Sequence, residues 1–300
     1  RVESVLDFNW YRNPPDPALR DKPFSVRWKG YLVAPDSGTY YLGGYGVYGY
    51  KISVEDTVLV KHRGSHTPRL RYGELELAAG RRYRIQVEYK GVEPKSQLRP
   101  CFSLMWARPA EVRREEALEL ADNSDLVVLA MGLSPRLEGE EMRVEVPGFK
   151  GGDRTDLSLP ETQRRLMEEI VALGKPTVLV LFNGSALAVN WAAQHVPAIL
   201  EAWYPGQEGG RAIVDVLFGN YNPAGRLPIT FYKSVADLPP FDDYRMEGRT
   251  YRYFRGPVLF PFGYGLSYTK FEYSSLSIEK TGDRVEVSFT VENVGGREGD

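Results

Sequence analysis

Three apolar runs, each ending in a polar loop, constrain this chain more than any other feature. They are Asp125–Met131 (DLVVLAM), Pro176–Phe182 (PTVLVLF) and Ala198–Trp203 (AILEAW). None alternates apolar with polar residues, as a strand with one wet face does. Continuous apolar runs of this length suit strands covered on both faces. Segments with helical spacing lie around them: Glu111–Ala121 before, Pro160–Leu173 and Ala188–Gln194 between, and Gly210–Phe218 after. Pro160 sits where a first helical turn tolerates proline. Strand and helix in alternation predict a three-layer α/β/α sandwich with a mostly parallel sheet, placed at residues 110–232.

The flanks read differently. Up to residue 109 the chain carries short runs rich in Val, Tyr and Ile: Phe24–Val33, Gly38–Leu42, Tyr50–Val60, Glu74–Leu77, Arg82–Tyr89 and Cys101–Trp106. Turns such as Pro35–Gly38 and Ala79–Arg81 separate them, which predicts a β-sandwich over 1–109. The cluster of Gly43, Gly44, Gly46 and Gly49 with Tyr45, Tyr48 and Tyr50 reads either as a ligand rim or as a loop packed on a neighbouring domain. Residues 233–270 form a connector rich in Pro, Gly and Tyr. From Phe271 alternation returns (SSLSIEK, VEVSFTVENVG), as in the first hairpin of a second β-sandwich over 271–300. Arg1 is not an initiator Met and no signal peptide follows it, so the chain is expected to be a portion of a larger protein. Its compartment is left open, with periplasm or exterior favoured over cytoplasm.

Bulk properties exclude several classes. A net charge of −2 offers no basic stripe for nucleic acid. No apolar run reaches the roughly 18 residues of a membrane span, and no basic amphipathic segment suggests membrane-surface binding. Cys101 is the only cysteine, so no internal disulfide framework exists, and its apolar run predicts a small core residue in preference to a nucleophile. His62 and His66 share a polar loop without enough further ligands to specify zinc, and no metal or cofactor is expected. Neither GxGxxG after a strand nor GxxxxGK[ST] is present.

In open parallel sheets, function collects beyond the carboxyl ends of the strands. Three loops qualify: residues 132–160, the loop opened by Asn183-Gly184-Ser185, and Tyr204–Gly210. The first holds Glu138, Glu140 and Glu141 almost adjacent. Close carboxylates raise one another's pKa, which suits a general acid, although composition alone favours a solvated acidic turn. Ser185 lacks the GxSxG context of a hydrolytic serine.

Taken together, GLSPRLEGEE, GGDRTDLSLP, KPTVLVLFNGSALAVNW, AILEAWYPGQEGG, NPAGRLPITF, GRTYRYF and LFPFGYGLSYT resemble, in order, the motifs of family 3 glycoside hydrolases. The tail from Phe271 resembles the fibronectin type III-like domain that commonly ends such enzymes. Residues up to 109 resemble the protective-antigen-type β-sandwich that some members carry as an insert, through FSVRWKGYLVAPDSGTYYLG, LAAGRRYRIQVEY and FSLMWARP. The resemblance implies a retaining exo-acting β-glycosidase with two carboxyls, an Asp nucleophile on a β/α barrel and a Glu acid/base on the 132–160 loop. It assigns the acid/base to Glu140, with Glu138 and Glu141 as alternates. Glu138, Arg136, Tyr45 and Tyr48 become substrate contacts. Asp153 and Arg154 become a loop-holding ion pair.

The barrel and its nucleophile lie outside this sequence, and the two carboxyls must stand about 5–5.5 Å apart, so the chain is expected to be inactive alone. The expected partners are a β-glycoside or oligosaccharide and the rest of the enzyme, with a homodimer allowed. A β-glucoside is the first expectation, a β-xyloside the second and an arabinofuranoside the third. The alternatives from other classes are a non-catalytic carbohydrate-binding or adhesion module and a structural accessory chain.

Overall fold

The computed structural model describes residues 5–10, 14–19, 22–65, 68–92, 100–140, 142 and 144–299. Two compact units divide the chain, Arg1–Ala117 and Leu118–Asp300.

The first unit holds strands β1 (Asp7–Asn9), β2 (Phe24–Val33), β3 (Gly38–Gly46), β4 (Gly49–Val54), β5 (Thr57–His62), β6 (Arg69–Leu77), β7 (Arg82–Val92) and β8 (Cys101–Ala107). They form two antiparallel sheets, in the orders β1-β8-β3-β6 and β2-β7-β4-β5. Strand β4 shows the strict alternation that one core-facing side demands: Tyr50, Ile52 and Val54 are buried, and the residues between them less so. Tyr50, Tyr89, Phe102, Trp10 and Trp28 make an aromatic core, with ring centroids 5.2–5.6 Å apart for Tyr50–Phe102, Tyr89–Phe102, Trp28–Phe102 and Trp10–Tyr89.

Two sequence expectations change here. The run Tyr50–Val60 is not one strand but a hairpin, β4–β5, turning at Glu55 and Asp56 with φ of 47° and 64°. Positive φ at both central positions is the turn that matches strand twist and usually takes Asn or Gly. Here Arg84 holds the turn instead. Its backbone N–H donates to Glu55 Oε1 at 2.6 Å, and its guanidinium meets Asp56 at 2.7 Å. The glycine cluster is not a loop either, because β3 runs on to Gly46. A Cβ at Gly44 would stand 2.7 Å from the Tyr50 ring and 2.9 Å from that of Phe102, so the glycine makes room for the aromatic core. The Tyr50 hydroxyl shares its one proton between the carbonyls of Gly44, at 2.5 Å, and Arg69, at 2.9 Å.

Helix α1 (Ala110–Asp122) precedes β9 (Val127–Gly132). There follow a small antiparallel sheet of β10 (Glu145–Val146), β11 (Phe149–Lys150) and β12 (Asp153–Arg154), then α2 (Glu161–Ala172), β13 (Thr177–Phe182), α3 (Asn190–His195), β14 (Ala198–Glu201) and α4 (Gly209–Leu217). Strands β14, β13 and β9 pair in that order, all parallel. Central β13 is buried on both faces, with Leu179, Val180 and Leu181 at most 1% exposed, as its unbroken apolar run requires. Ala121, Met167, Ile170 and Ala192 from α1, α2 and α3 join its core.

The stretch after α4 crosses the unit as irregular chain with a 3-10 turn at Val235–Asp237 and a short helix, α5 (Thr250–Tyr253). A bridge between Phe231 and Phe260 and a capping box at Ser234 and Asp237 fasten it. Strands β15 (Phe271–Thr281) and β16 (Arg284–Asn293) form an antiparallel hairpin. Both its faces are open: Tyr273, Leu276, Ile278, Val285 and Phe289 are each more than half exposed. Among the described residues, no helix is long and apolar enough to cross a membrane.

Candidate active site

Parallel register brings the three loops to one edge of the sheet. Gly132 pairs with Phe182, and Leu181 with Glu201, so β9, β13 and β14 end together. Gly132 has a φ of 142°, and a Cβ there would lie 1.9 Å from the Phe182 carbonyl oxygen, so only glycine closes this edge. Gln163 on α2 clamps the same residue. Its Oε1 accepts from Gly132 N–H at 2.8 Å, and its Nε2 donates to the Gly132 carbonyl at 2.9 Å.

The first loop then makes a tight turn, in which the N–H groups of Leu137 and Glu138 both donate to the Ser134 carbonyl, at 2.9 and 3.0 Å. A bond of 3.1 Å from Gly139 N–H to the Gly152 carbonyl fastens the turn beside the small sheet. Glu138 is where the three loops meet. Ser185 Oγ donates to its Oε1 at 3.3 Å, and the Tyr204 hydroxyl donates to its Oε2 at 3.2 Å. Arg154 Nη1 donates to Ser185 Oγ and to the Ala186 carbonyl, both at 2.8 Å. Burial lowers the pKa of Arg154, and the charges of Glu138 and Asp156 oppose that shift. Burial raises the pKa of the Tyr204 phenol, and the charge of Glu138 adds to the effect. Arg154 Nε and Nη2 are buried and have no partner among the described residues.

A second carboxyl stands at the end of β14. Glu201 Oε1 accepts from the Trp203 N–H at 3.0 Å, and its Oε2 accepts from Asn183 Nδ2 at 3.2 Å. Asn183 is fully buried, and its Nδ2 also donates to the Ser185 carbonyl at 3.0 Å. Burial pushes the Glu201 carboxyl up to about 7, against the two hydrogen bonds. Trp203 takes a φ of 54°, and its ring meets Phe231 edge-on at 6.0 Å.

The residues expected from sequence fall into three groups. Glu138 and Arg154 converge. Glu140 and Arg136 lie on the same turn and are exposed. Glu141 lies outside the described residues. The ion pair expected between Asp153 and Arg154 is not formed among the described residues. The two are consecutive on β12, where successive side chains leave opposite faces. Asp153 is exposed, while Arg154 reaches Ser185 and Ala186.

Tyr45 and Tyr48 belong to the first unit. Tyr45 lies on β3, half-buried. The Tyr48 ring meets Tyr89 edge-on at 6.2 Å, and its hydroxyl is enclosed. Its ring therefore packs on the aromatic core, and the residue also lines a cleft with Ser25, Lys61, His62 and Lys90. Residue-level reading missed Asn183, Ser185, Glu201 and Tyr204 as site members. Each sits at or just beyond the carboxyl end of an apolar run, which was the signal available. Among the described residues, no group of three or more His, Cys, Asp or Glu side chains is disposed to hold a metal.

The profile of the glycosyl hydrolase family 3 C-terminal domain matches residues 25–268, and the chain belongs to that family. It is 38% identical over 286 residues to the xylan 1,4-beta-xylosidase of Xylanibacter ruminicola, covering 94% of this chain and 32% of that protein. With the periplasmic beta-glucosidase of Salmonella typhimurium it shares 40% identity over 209 residues, which is 64% of this chain and 26% of that protein. The crystal structure of a beta-glucosidase from Kluyveromyces marxianus in complex with glucose superposes with a TM-score of 0.74 at 28% identity, over 97% of this chain and 36% of that one. The chain thus spans about a third of the length of these relatives.

Proposed function

We propose that this chain is the acid/base-bearing portion of a retaining, exo-acting β-glycosidase that removes terminal non-reducing sugars. Glu140 is the general acid/base. The observation that carries the reading is the turn Ser134–Glu140: Glu138 is tied by hydroxyls from both neighbouring loops, and two residues on, Glu140 stands open to incoming substrate. Family membership and relatives named for β-xylosidase and β-glucosidase activity support it.

Glu140 protonates the glycosidic oxygen as the bond breaks. It then takes a proton from the water that releases the sugar from an Asp nucleophile on the β/α barrel. Glu138, neighbour to the acid/base, is a fixed carboxylate that contributes field and a hydrogen-bond acceptor to the sugar, and Arg136 borders the same opening. A carboxyl that donates a proton needs an enclosed setting, and enclosing Glu140 falls to the barrel and the bound sugar. The substrate is a β-glucoside or a β-xyloside.

In this reading residues 1–109 are a protective-antigen-type β-sandwich and 110–232 a three-layer α/β/α sandwich. Residues 233–270 are a connector and 271–300 part of a fibronectin type III-like domain.

The test is hydrolysis of nitrophenyl β-glucoside and β-xyloside, and of the matching disaccharides, by the enzyme containing this chain and by its Glu140→Ala variant. The variant should lose disaccharide activity, keep much of its activity on the activated aryl substrates, and regain turnover with azide. Full disaccharide activity in the variant would move the assignment to Glu138 or Glu141. A parent that binds sugar but turns over neither substrate would favour a carbohydrate-binding module.

A further inference from the structure

Glu201 takes no part in the chemistry just described, yet it touches both loops that hold Glu138. One of its oxygens accepts from Asn183, whose same Nδ2 holds the Ser185 carbonyl, and the Ser185 hydroxyl reaches Glu138. Its other oxygen accepts from the Trp203 N–H, and the hydroxyl of the next residue, Tyr204, reaches Glu138 from the other side. We propose that Glu201 is a positioning residue for the Glu138 carboxylate, acting through Asn183–Ser185 on one side and Trp203–Tyr204 on the other. This deepens the reading of the 134–154 loop as an acid/base loop and rests on it.

A second observation shows how the arrangement has two states. Asn183 Oδ1 is buried and has no partner among the described residues. With Glu201 ionised, both groups meeting it are neutral donors, the Asn183 amide and the Trp203 N–H. A protonated Glu201 must find an acceptor, and the orphaned Asn183 oxygen supplies one once the amide turns over. That turn exchanges Nδ2 for Oδ1 and takes the donor away from the Ser185 carbonyl, since two carbonyl oxygens repel. Protonation at Glu201 therefore loosens the Ser185 side of the clamp on Glu138. Burial pushes the Glu201 carboxyl up to about 7, so the exchange falls at neutral pH. Among the described residues, the groups that meet the Glu201 carboxyl are the neutral Asn183 amide and Trp203 N–H; Glu138 and Arg154 connect to it through Ser185, Tyr204 through Trp203, and Asp156 through Arg154.

The test uses this 300-residue chain, labelled with 15N-tryptophan and ring-13C-tyrosine. Trp203→Phe and Tyr204→Phe identify the Trp203 amide and Tyr204 ring signals. Both signals should move with pH through one shared midpoint near 7, and both movements should vanish in Glu201→Gln. The wild-type titration stands alone if that variant fails to fold. A Trp203 amide that titrates while the Tyr204 ring stays flat would overturn the proposal, because Glu201 would then serve its own turn only. Two flat signals would overturn it equally. No substrate is involved, so failure here is distinct from failure of the glycosidase reading, which Glu140→Ala tests.

Discussion

Tyr204 and Glu138 are joined across 66 positions of chain by a hydrogen bond of 3.2 Å, with the phenol hydroxyl donating to Oε2. The bond links the third loop of the sheet edge to the first, and Tyr204 is itself 46% exposed. Tyr204→Phe should therefore leave thermal stability nearly unchanged and act on catalysis. Water replaces this exposed bond in the free chain, but once substrate encloses it a hydrogen bond to a charged group is worth about 1.5–3 kcal/mol, and about 1.4 kcal/mol corresponds to tenfold in rate. A fall in kcat/KM on disaccharides of about ten- to a hundredfold is expected. Equal kcat/KM for variant and wild type would remove Tyr204 from the site.

At the foot of the first loop, Gln163→Leu removes both side-chain bonds to the backbone of buried Gly132. At about 1–3 kcal/mol for each buried group that loses its partner, urea unfolding should show a loss of about 2 kcal/mol or more. Gly132→Ala should be worse, about 3 kcal/mol or more, because left-handed strain adds to the clash with the Phe182 carbonyl.

Phe102 is fully buried at the meeting point of Tyr50, Tyr89 and Trp28. Truncation to Ala in such a core costs about 3–5 kcal/mol. The variant's urea midpoint should drop accordingly. A drop worth less than about 1 kcal/mol would mean that the aromatic core is not packed as described.

Glu201 also sets a pH dependence of stability. Its folded pKa of about 7 lies above its ordinary value of 4.5, so between those values the folded chain binds more protons than the unfolded one. Stability from this group is greatest below pH 4.5, falls as pH rises through the window, and is level above 7. The melting temperature of wild type minus that of Glu201→Gln should decline from pH 4.5 to 7 and then flatten. A difference that rises through this window would show that the carboxyl is held in its charged form.

Patterning alone determined the parallel sheet and its helices, because a run such as Thr177–Phe182 has no polar face to show to water and must be covered on both sides. It also determined which loops share an edge, since parallel strands end together. The family followed from the order of the loop motifs. Local pattern did not reveal the β4–β5 turn, because Glu55 and Asp56 adopt positive φ only with Arg84 opposite them. Nor did it reveal that Gly43, Gly44 and Gly46 are buried strand, a consequence of the β6 backbone at Gly43 and of rings and backbone that arrive from β4 and β8 at Gly44 and Gly46. At the site, the sequence supplied the acidic turn but not its partners. Ser185, Tyr204 and Glu201 lie 47, 66 and 63 positions beyond Glu138. Hydrogen bonding and burial act through space, so only the folded sheet edge decided which carboxylate is clamped, which stands open and which is driven toward its neutral form.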